Sequence, residues 1–148
     1  MGVKLKPGDV LELSRPEGFL YVQFVGTHPW LGEGILVGPR LQQSRPVIEP
    51  GLFDGGYIVF YLASLAVTRQ EAAVVASLPT TGLPSSVRTA RDWEPDGRVR
   101  TWAIESPGGV VVKETLTEDE IGYPIASILS DSVLVDRVLA GWHPSRES

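Results

Sequence analysis

The sequence predicts a mainly β protein, either an SH3-like barrel or a strongly twisted antiparallel sheet, with one C-terminal helix packed on it. Three observations support this fold class. Pro-Gly-Asp at residues 7–9 is a turn that leads into an apolar strand, an opening often seen in small SH3-like barrels. The chain contains 16 glycines and 12 prolines, which indicate many turns and short elements. Apolar residues recur at helical spacing from Leu134 to Trp142.

The first half of the chain is predicted to contain four strands, at residues 9–14, 19–25, 35–38 and 57–67. A turn sequence at residues 15–18 separates the first two and indicates a hairpin. Leu20, Val22 and Phe24 share one face of the second strand, and we expect that aliphatic face to enter the core. The fourth run is apolar on both faces, which predicts a central strand that is covered on both sides and bends along its length.

The connections between these strands are predicted to be irregular. Residues 26–34 form a loop that carries His28 and Trp30, and residues 39–56 are rich in proline, glycine and glutamine. Residues 71–77 combine alanines, which favour helix, with a pair of valines, which favour strand, so both interpretations stand.

The last third is predicted to contain two strands, a helical turn, a short extended segment and a helix, at residues 98–105, 110–114, 117–120, 125–129 and 130–142. Ser-Pro-Gly-Gly at residues 106–109 joins the two strands as a second hairpin. Ser130 or Asp131 is expected to cap the helix. Its predicted buried stripe consists of Leu134, Val135, Val138, Leu139 and Trp142.

We expect a single domain over residues 1–148. The longest weakly patterned segment, residues 79–97, contains three prolines and is predicted to be a long loop. An alternative organisation has two sub-lobes, a barrel-like one at 1–78 and a hairpin plus helix at 98–148, joined by that loop.

Composition and charge exclude several classes of protein. Hydrophobic residues make up 43% and charged residues 21% of the chain, which is typical of a globular protein. The net charge of −5 argues against binding of nucleic acid, which needs a basic face, and favours a basic protein partner. No cysteine is present, so a disulfide-stabilised scaffold and thiolate metal sites are excluded.

The sequence also predicts a cytoplasmic protein with no membrane association. Its longest apolar run is about half of the ~20 residues needed to cross a membrane. Residues 1–6 lack the apolar segment of a signal peptide.

No catalytic, metal or cofactor site is predicted, and we expect that the protein is not an enzyme. His28 and His143 are far apart in sequence, and no nucleophile elbow of the Gly-x-Ser-x-Gly type is present. The acidic triplet at residues 118–120 is typical of a solvated helix start, because adjacent residues do not face each other on a helix. The glycine pairs match no phosphate-binding motif.

Aromatic residues are the first candidates for partner binding. Phe19 and Tyr21 share the second face of a hairpin strand, where they either line a binding surface or pack under another part of the chain. Trp30 and Trp93 lie in predicted loops, and loop tryptophans are frequent interface hot spots. By contrast, Trp102 and Trp142 are predicted to be structural.

Acidic residues are the second group of candidates. They are concentrated in two predicted loop regions, where they would face a basic partner: Asp92, Glu94, Asp96, Glu118, Asp119 and Glu120.

The opening run at residues 6–13, the strand with Tyr21 and the strand at residues 58–61 together resemble the immunity protein 26 family. The final Leu-Ala-Gly-Trp at residues 139–142 also fits that pattern, and the similarity otherwise covers about the first 65 residues. This resemblance implies a bacterial, non-enzymatic binding protein that neutralises a cognate toxin by protein–protein contact. Because it is a family of binding proteins, it implies no catalytic residue.

Two other functions are compatible with the sequence. A small-barrel RNA-binding or ribonuclease-toxin-like protein also opens with a Gly-Asp pattern, although the negative charge and the isolated histidines argue against it. A regulatory interaction module without a toxin partner is the third hypothesis. The expected partner in the first and third cases is another protein.

Overall fold

The structure is a computed structural model that describes residues 3–147. Met1, Gly2 and the last residue of the polar tail, Ser148, lie outside the described residues. The mainly β class is confirmed. The strands are β1 (Asp9–Arg15), β2 (Gly18–His28), β3 (Gly32–Val37), β4 (Tyr57–Tyr61), β5 (Ala73–Ser77), β6 (Val87–Trp93), β7 (Val99–Ser106), β8 (Gly109–Lys113) and β9 (Ile128–Leu129). The helices are α1 (Ala63–Thr68), α2 (Glu118–Ile121) and α3 (Asp131–Leu139).

The strands form two sheets. The larger has the order β5-β1-β2-β3-β4-β9, and its neighbours are antiparallel except for the parallel pair β4–β9. The predicted hairpin at its centre is confirmed, with Val10 opposite Gln23 and Arg15 opposite Gly18. The smaller sheet, β6-β7-β8, is an antiparallel meander that contains the second predicted hairpin.

One face of the larger sheet carries the main core. The aliphatic face of β2 enters it, as predicted, and meets the apolar sides of α1 and α3. Ser130 caps α3 by accepting a hydrogen bond from the Val133 amide, and the Asp131 carboxylate binds Arg15 Nη2 at 2.9 Å. The predicted stripe holds at Leu134, Val135 and Val138, and Trp142 packs partly buried against the same core.

Leu139 is a correction to the predicted stripe, because it is 54% exposed. Helix α3 ends at this residue, and its side chain is turned toward solvent.

The strand predicted at residues 57–67 is wrong after Tyr61, where the chain turns into α1. A contact from a distant part of the sequence accompanies this turn. The Glu33 carboxylate of β3 accepts hydrogen bonds from the backbone amide of Ser64, at 2.9 Å, and from the Ser64 hydroxyl. An acidic group at that position satisfies otherwise unpaired amides of a helix start.

The loop predicted at residues 79–97 is wrong from Val87 onward, because β6 lies within it and pairs with β7. The alternative organisation, in which a second sub-lobe begins at residue 98, would place the paired strands β6 and β7 on different sides of that boundary. Loop 26–34 is likewise shorter than predicted, since β2 extends to His28 and β3 begins at Gly32. The ambiguous segment at residues 71–77 contains the edge strand β5, which begins at Ala73.

A buried arginine connects the smaller sheet to the C-terminal segment. Arg88 of β6 is fully buried and lies over the Trp102 ring, 4.3 Å from its centre. Its guanidinium donates hydrogen bonds to four backbone carbonyls, those of Ile121, Tyr123, Pro144 and Glu147. Burial lowers the pKa of this guanidinium. The predicted structural role of Trp102 is confirmed by its burial.

No helix within residues 3–147 is long and apolar enough to cross a membrane.

Candidate partner-binding surface

Topology brings the two predicted acidic regions to one end of the smaller sheet. Because β6, β7 and β8 alternate in direction, the β6–β7 turn and the chain that follows β8 lie at the same end. We call residues 92–97 and 114–120 the acidic end. Its two parts border a groove of about 350 Å³ lined by Glu94, Arg98, Val99, Arg100, Glu114 and Thr115.

The first part of the acidic end is the tight turn after β6. The Glu94 amide donates to the Arg98 carbonyl at 2.7 Å, and the Gly97 amide donates to the Glu94 carbonyl at 2.9 Å. Gly97 has φ +90°, a conformation that other residues rarely adopt. The Asp96 carboxylate accepts from the Arg98 amide and side chain, and these contacts lower the pKa of Asp96.

The second part is the short helix α2, which is fixed by a capping box. The Thr117 hydroxyl accepts from the Glu120 amide, and the Glu120 carboxylate accepts from the Thr117 amide at 2.8 Å. Lys113 Nζ also binds this carboxylate at 2.7 Å and is the main reason that the pKa of Glu120 is lowered. Glu120 is therefore engaged in holding α2, whereas Glu118 and Asp119 are exposed to solvent.

The acidic end carries an excess of unpaired carboxylates. Residues 92–100 and 113–120 contain seven acidic and three basic side chains. Each basic side chain forms an ion pair inside this region: Arg98 with Asp96, Arg100 with Asp92 and Lys113 with Glu120. Four exposed carboxylates are not neutralised by an ion pair among the described residues: Glu94, Glu114, Glu118 and Asp119.

The two loop tryptophans lie at different ends of the smaller sheet. Trp93 is the last residue of β6, is exposed, and belongs to the acidic end. Trp30 is also exposed, but it lines an apolar cleft of about 380 Å³ next to the β7–β8 turn, together with His28, Leu83 and Pro107. Of the two, only Trp93 shares a surface with the acidic residues.

Tyr21 is buried rather than placed on a binding surface, and this is a correction. It is 1% exposed, because the irregular segment after β3 folds back over this face of the sheet. Gln42 in that segment pairs with the backbone of Phe19 in both directions, at 2.8 and 2.9 Å. The Tyr21 hydroxyl donates to the Glu12 carboxylate at 2.6 Å, and burial raises the pKa of this tyrosine.

Phe19 is half-buried beside Tyr21. The Arg45 guanidinium covers its ring at 4.7 Å and also binds the Glu12 carboxylate at 3.1 Å. The second interpretation of this face, that it packs under another part of the chain, agrees with the structure.

Two features of the surface were not predicted from the sequence. Glu114 was predicted to be the last residue of a strand, but it follows β8 and lines the groove at the acidic end. Val110, Val111 and Val112 of β8 are 59%, 60% and 57% exposed. Three consecutive valines break the apolar–polar alternation of a strand that has one face in solvent, and this marks β8 as unusual. Such a run is more often typical of a strand that is buried on both faces.

The histidines stabilise local turns. His28 Nδ1 accepts from the amides of Trp30 and Leu31, each at 3.2 Å, and His143 Nδ1 accepts from the Ser145 amide. Within residues 3–147, no three His, Asp or Glu side chains are grouped closely enough to hold a metal ion.

Comparisons with protein-family models, with curated proteins and with solved structures find no match to this chain.

Proposed function

We propose that this is a non-enzymatic binding protein whose acidic end docks a basic protein partner. In its most concrete form, the proposal is an immunity protein that blocks the basic surface of a cognate toxin in the cytoplasm. The observation that carries it is the convergence of two acidic segments, distant in sequence, at one end of the smaller sheet, where four exposed carboxylates form no ion pair among the described residues. Opposite potentials accelerate association and select against partners of the same charge.

The local structure of the acidic end is consistent with a surface that is preorganised for partner binding. The capping box of α2 and the Glu94–Gly97 turn hold the backbone that carries the free carboxylates. Less conformational entropy is then lost when a partner binds, because these segments are already ordered. An RNA-binding function would instead require Lys and Arg to predominate on this surface. The groove lining has two carboxylates and two arginines, and over residues 92–100 and 113–120 acidic side chains outnumber basic ones by seven to three.

Charge reversal at the acidic end should slow association. We expect the triple variant Glu94→Lys, Glu118→Lys, Asp119→Lys to reduce the association rate at low salt about tenfold or more, since steering is replaced by repulsion. Glu120 is left in place because it caps α2. The partner is obtained by affinity capture from the native host, and rates are measured at low and high salt.

A matched control separates location from net charge. The variant Glu17→Lys, Glu49→Lys, Asp54→Lys changes the same number of exposed acidic residues outside the acidic end. It should lower the rate much less. Equal effects of the two variants, or an association rate that is indifferent to salt, would contradict docking at the acidic end. A captured partner that does not inhibit growth when expressed alone would exclude the immunity function.

Trp93 should act on dissociation rather than on association. We expect Trp93→Ala to raise the dissociation rate about tenfold or more, as loss of an aromatic hot spot does. Trp30→Ala is the control, since it removes another exposed tryptophan, one that lies near the opposite end of the smaller sheet. If Trp30→Ala had the larger effect, the apolar cleft and not the acidic end would be the docking surface.

A further inference from the structure

The smaller sheet covers one of its edges and leaves the other open. On the β6 side, the Arg88 amide donates to the Pro124 carbonyl and the Ala126 amide donates to the Arg88 carbonyl, both at 2.9 Å. On the β8 side, no strand of the described chain pairs with the edge. Alternate backbone amides and carbonyls of β8 therefore point toward solvent.

The open edge has few of the features that usually prevent strand addition. Native sheets blunt their edges with bulges, prolines or inward-pointing charges. Strand β8 pairs with β7 without a register shift, and Lys113 is its one charged residue. The edge strand β5 differs, because its pairing with β1 contains a register shift between Val10 and Leu11. Three consecutive exposed valines make β8 the more open template of the two.

The charges around β8 indicate what can occupy this edge. At the C-terminal end of the strand, Lys113 is paired with Glu120. The exposed carboxylate of Glu114 follows directly, and those of Glu118 and Asp119 lie on α2. A strand laid along β8 would thus meet valines along most of its length and carboxylates at one end. A second copy of this chain carries the same net charge of −5, so a basic segment is the better match.

We propose that β8 binds an extended segment of a basic partner protein as an added antiparallel strand. Its apolar side chains would contact Val110–Val112, and Lys or Arg residues at its N-terminal end would lie over the acidic end. Antiparallel pairing is the slightly more stable arrangement and places the N-terminus of the added strand at the C-terminus of β8. This inference rests on the proposed function and adds the mode of binding.

The test uses a synthetic peptide with two N-terminal lysines followed by alternating valine and threonine. Its affinity for the wild-type protein is measured by fluorescence anisotropy. We expect it to bind about tenfold or more tightly than the peptide with the lysines moved to the C-terminus. Methylation of one alternate set of its amide nitrogens should abolish binding, whereas methylation of the other set should be tolerated, since an added strand donates on one side only.

Variants of the protein locate the contact. Val111→Lys places a charge on the open edge and should weaken peptide binding about tenfold or more. Val74→Lys makes the same change on the exposed edge strand β5 and should have no effect. Circular dichroism checks that both variants are folded, and the methylated peptides test the contact independently of any variant.

The outcomes separate this inference from the proposed function. Binding that responds to the acidic-end triple variant, but not to Val111→Lys or to methylation, would overturn strand addition and leave the acidic end in place. Binding that responds to Val111→Lys and methylation, but not to charge reversal or lysine order, would overturn the basic occupant. A wild-type dimer that Val111→Lys dissociates in sedimentation velocity would assign the edge to a second copy.

Discussion

We expect Arg88→Met to lower the free energy of unfolding by about 3 kcal/mol or more, because a buried carbonyl left without a donor costs about 1–3 kcal/mol. The Pro144 carbonyl is in this position, and three partly buried carbonyls lose their donor as well. Methionine retains much of the length of the arginine side chain and can still pack on the Trp102 ring. It removes every hydrogen bond to the carbonyls of Ile121, Tyr123, Pro144 and Glu147. Those carbonyls belong to two segments, residues 121–123 and 144–147. Few backbone hydrogen bonds otherwise hold these parts of the chain against β6.

Urea unfolding of the purified variants measures this loss. Arg91→Met is the matched control, since Arg91 is an exposed arginine on the same strand. Its effect should stay within about 0.5 kcal/mol, as is usual for surface substitutions. A loss below about 1 kcal/mol for Arg88→Met, on the scale of one ordinary hydrogen bond, would mean that Arg88 does not hold the two parts of the fold together.

Leu134→Ala should lower the free energy of unfolding by about 2–5 kcal/mol, the cost of deleting a large side chain from a packed core. Leu134 is 0% exposed and packs between α3 and the larger sheet. Leu139 belongs to the same helix and the same predicted stripe, but it is 54% exposed. Leu139→Ala should therefore cost less than about 1 kcal/mol.

Thermal or urea unfolding of the pair distinguishes the burial seen in the structure from the pattern in the sequence. Because the chemical change and the helix are the same, helix propensity affects both variants about equally. If the two variants lost equal stability, the end of α3 would have to pack on the core, and the orientation described for Leu139 would be wrong.

Local signals were sufficient for two of the hairpins and for the starts of α2 and α3. The turn at residues 15–18 and the Ser-Pro-Gly-Gly sequence each predicted a hairpin that the structure contains. Thr117 and Ser130 each stand at the start of a predicted helical segment, and in the structure their side chains cap α2 and α3. These features depend on a few consecutive residues, so a single sequence shows them.

Long-range contacts decided the elements that were predicted incorrectly. Strand β6 has no clear alternation, since Arg88 is buried together with its neighbour Val87. The segment becomes a strand by pairing with β7 and by the hydrogen bonds that Arg88 makes with the chain's end. Likewise, α1 interrupts an apolar run that favours strand, at a position where Glu33 binds the first turn of the helix.

For the candidate surface, the sequence by itself determined which residues are acidic, that negative charge is in excess, and that Trp30 and Trp93 are the tryptophans to expect at the surface. Only the tertiary structure decided which of them act together. The pairing of β7 with both β6 and β8 brings residues 92–97 to the same end of the sheet as residues 114–120 and leaves β8 as an open edge. Separately, the segment after β3 folds over the larger sheet and buries Tyr21. The physical reason is that charge and side-chain type are properties of each residue, whereas proximity and exposure depend on strand pairing between residues far apart in the chain.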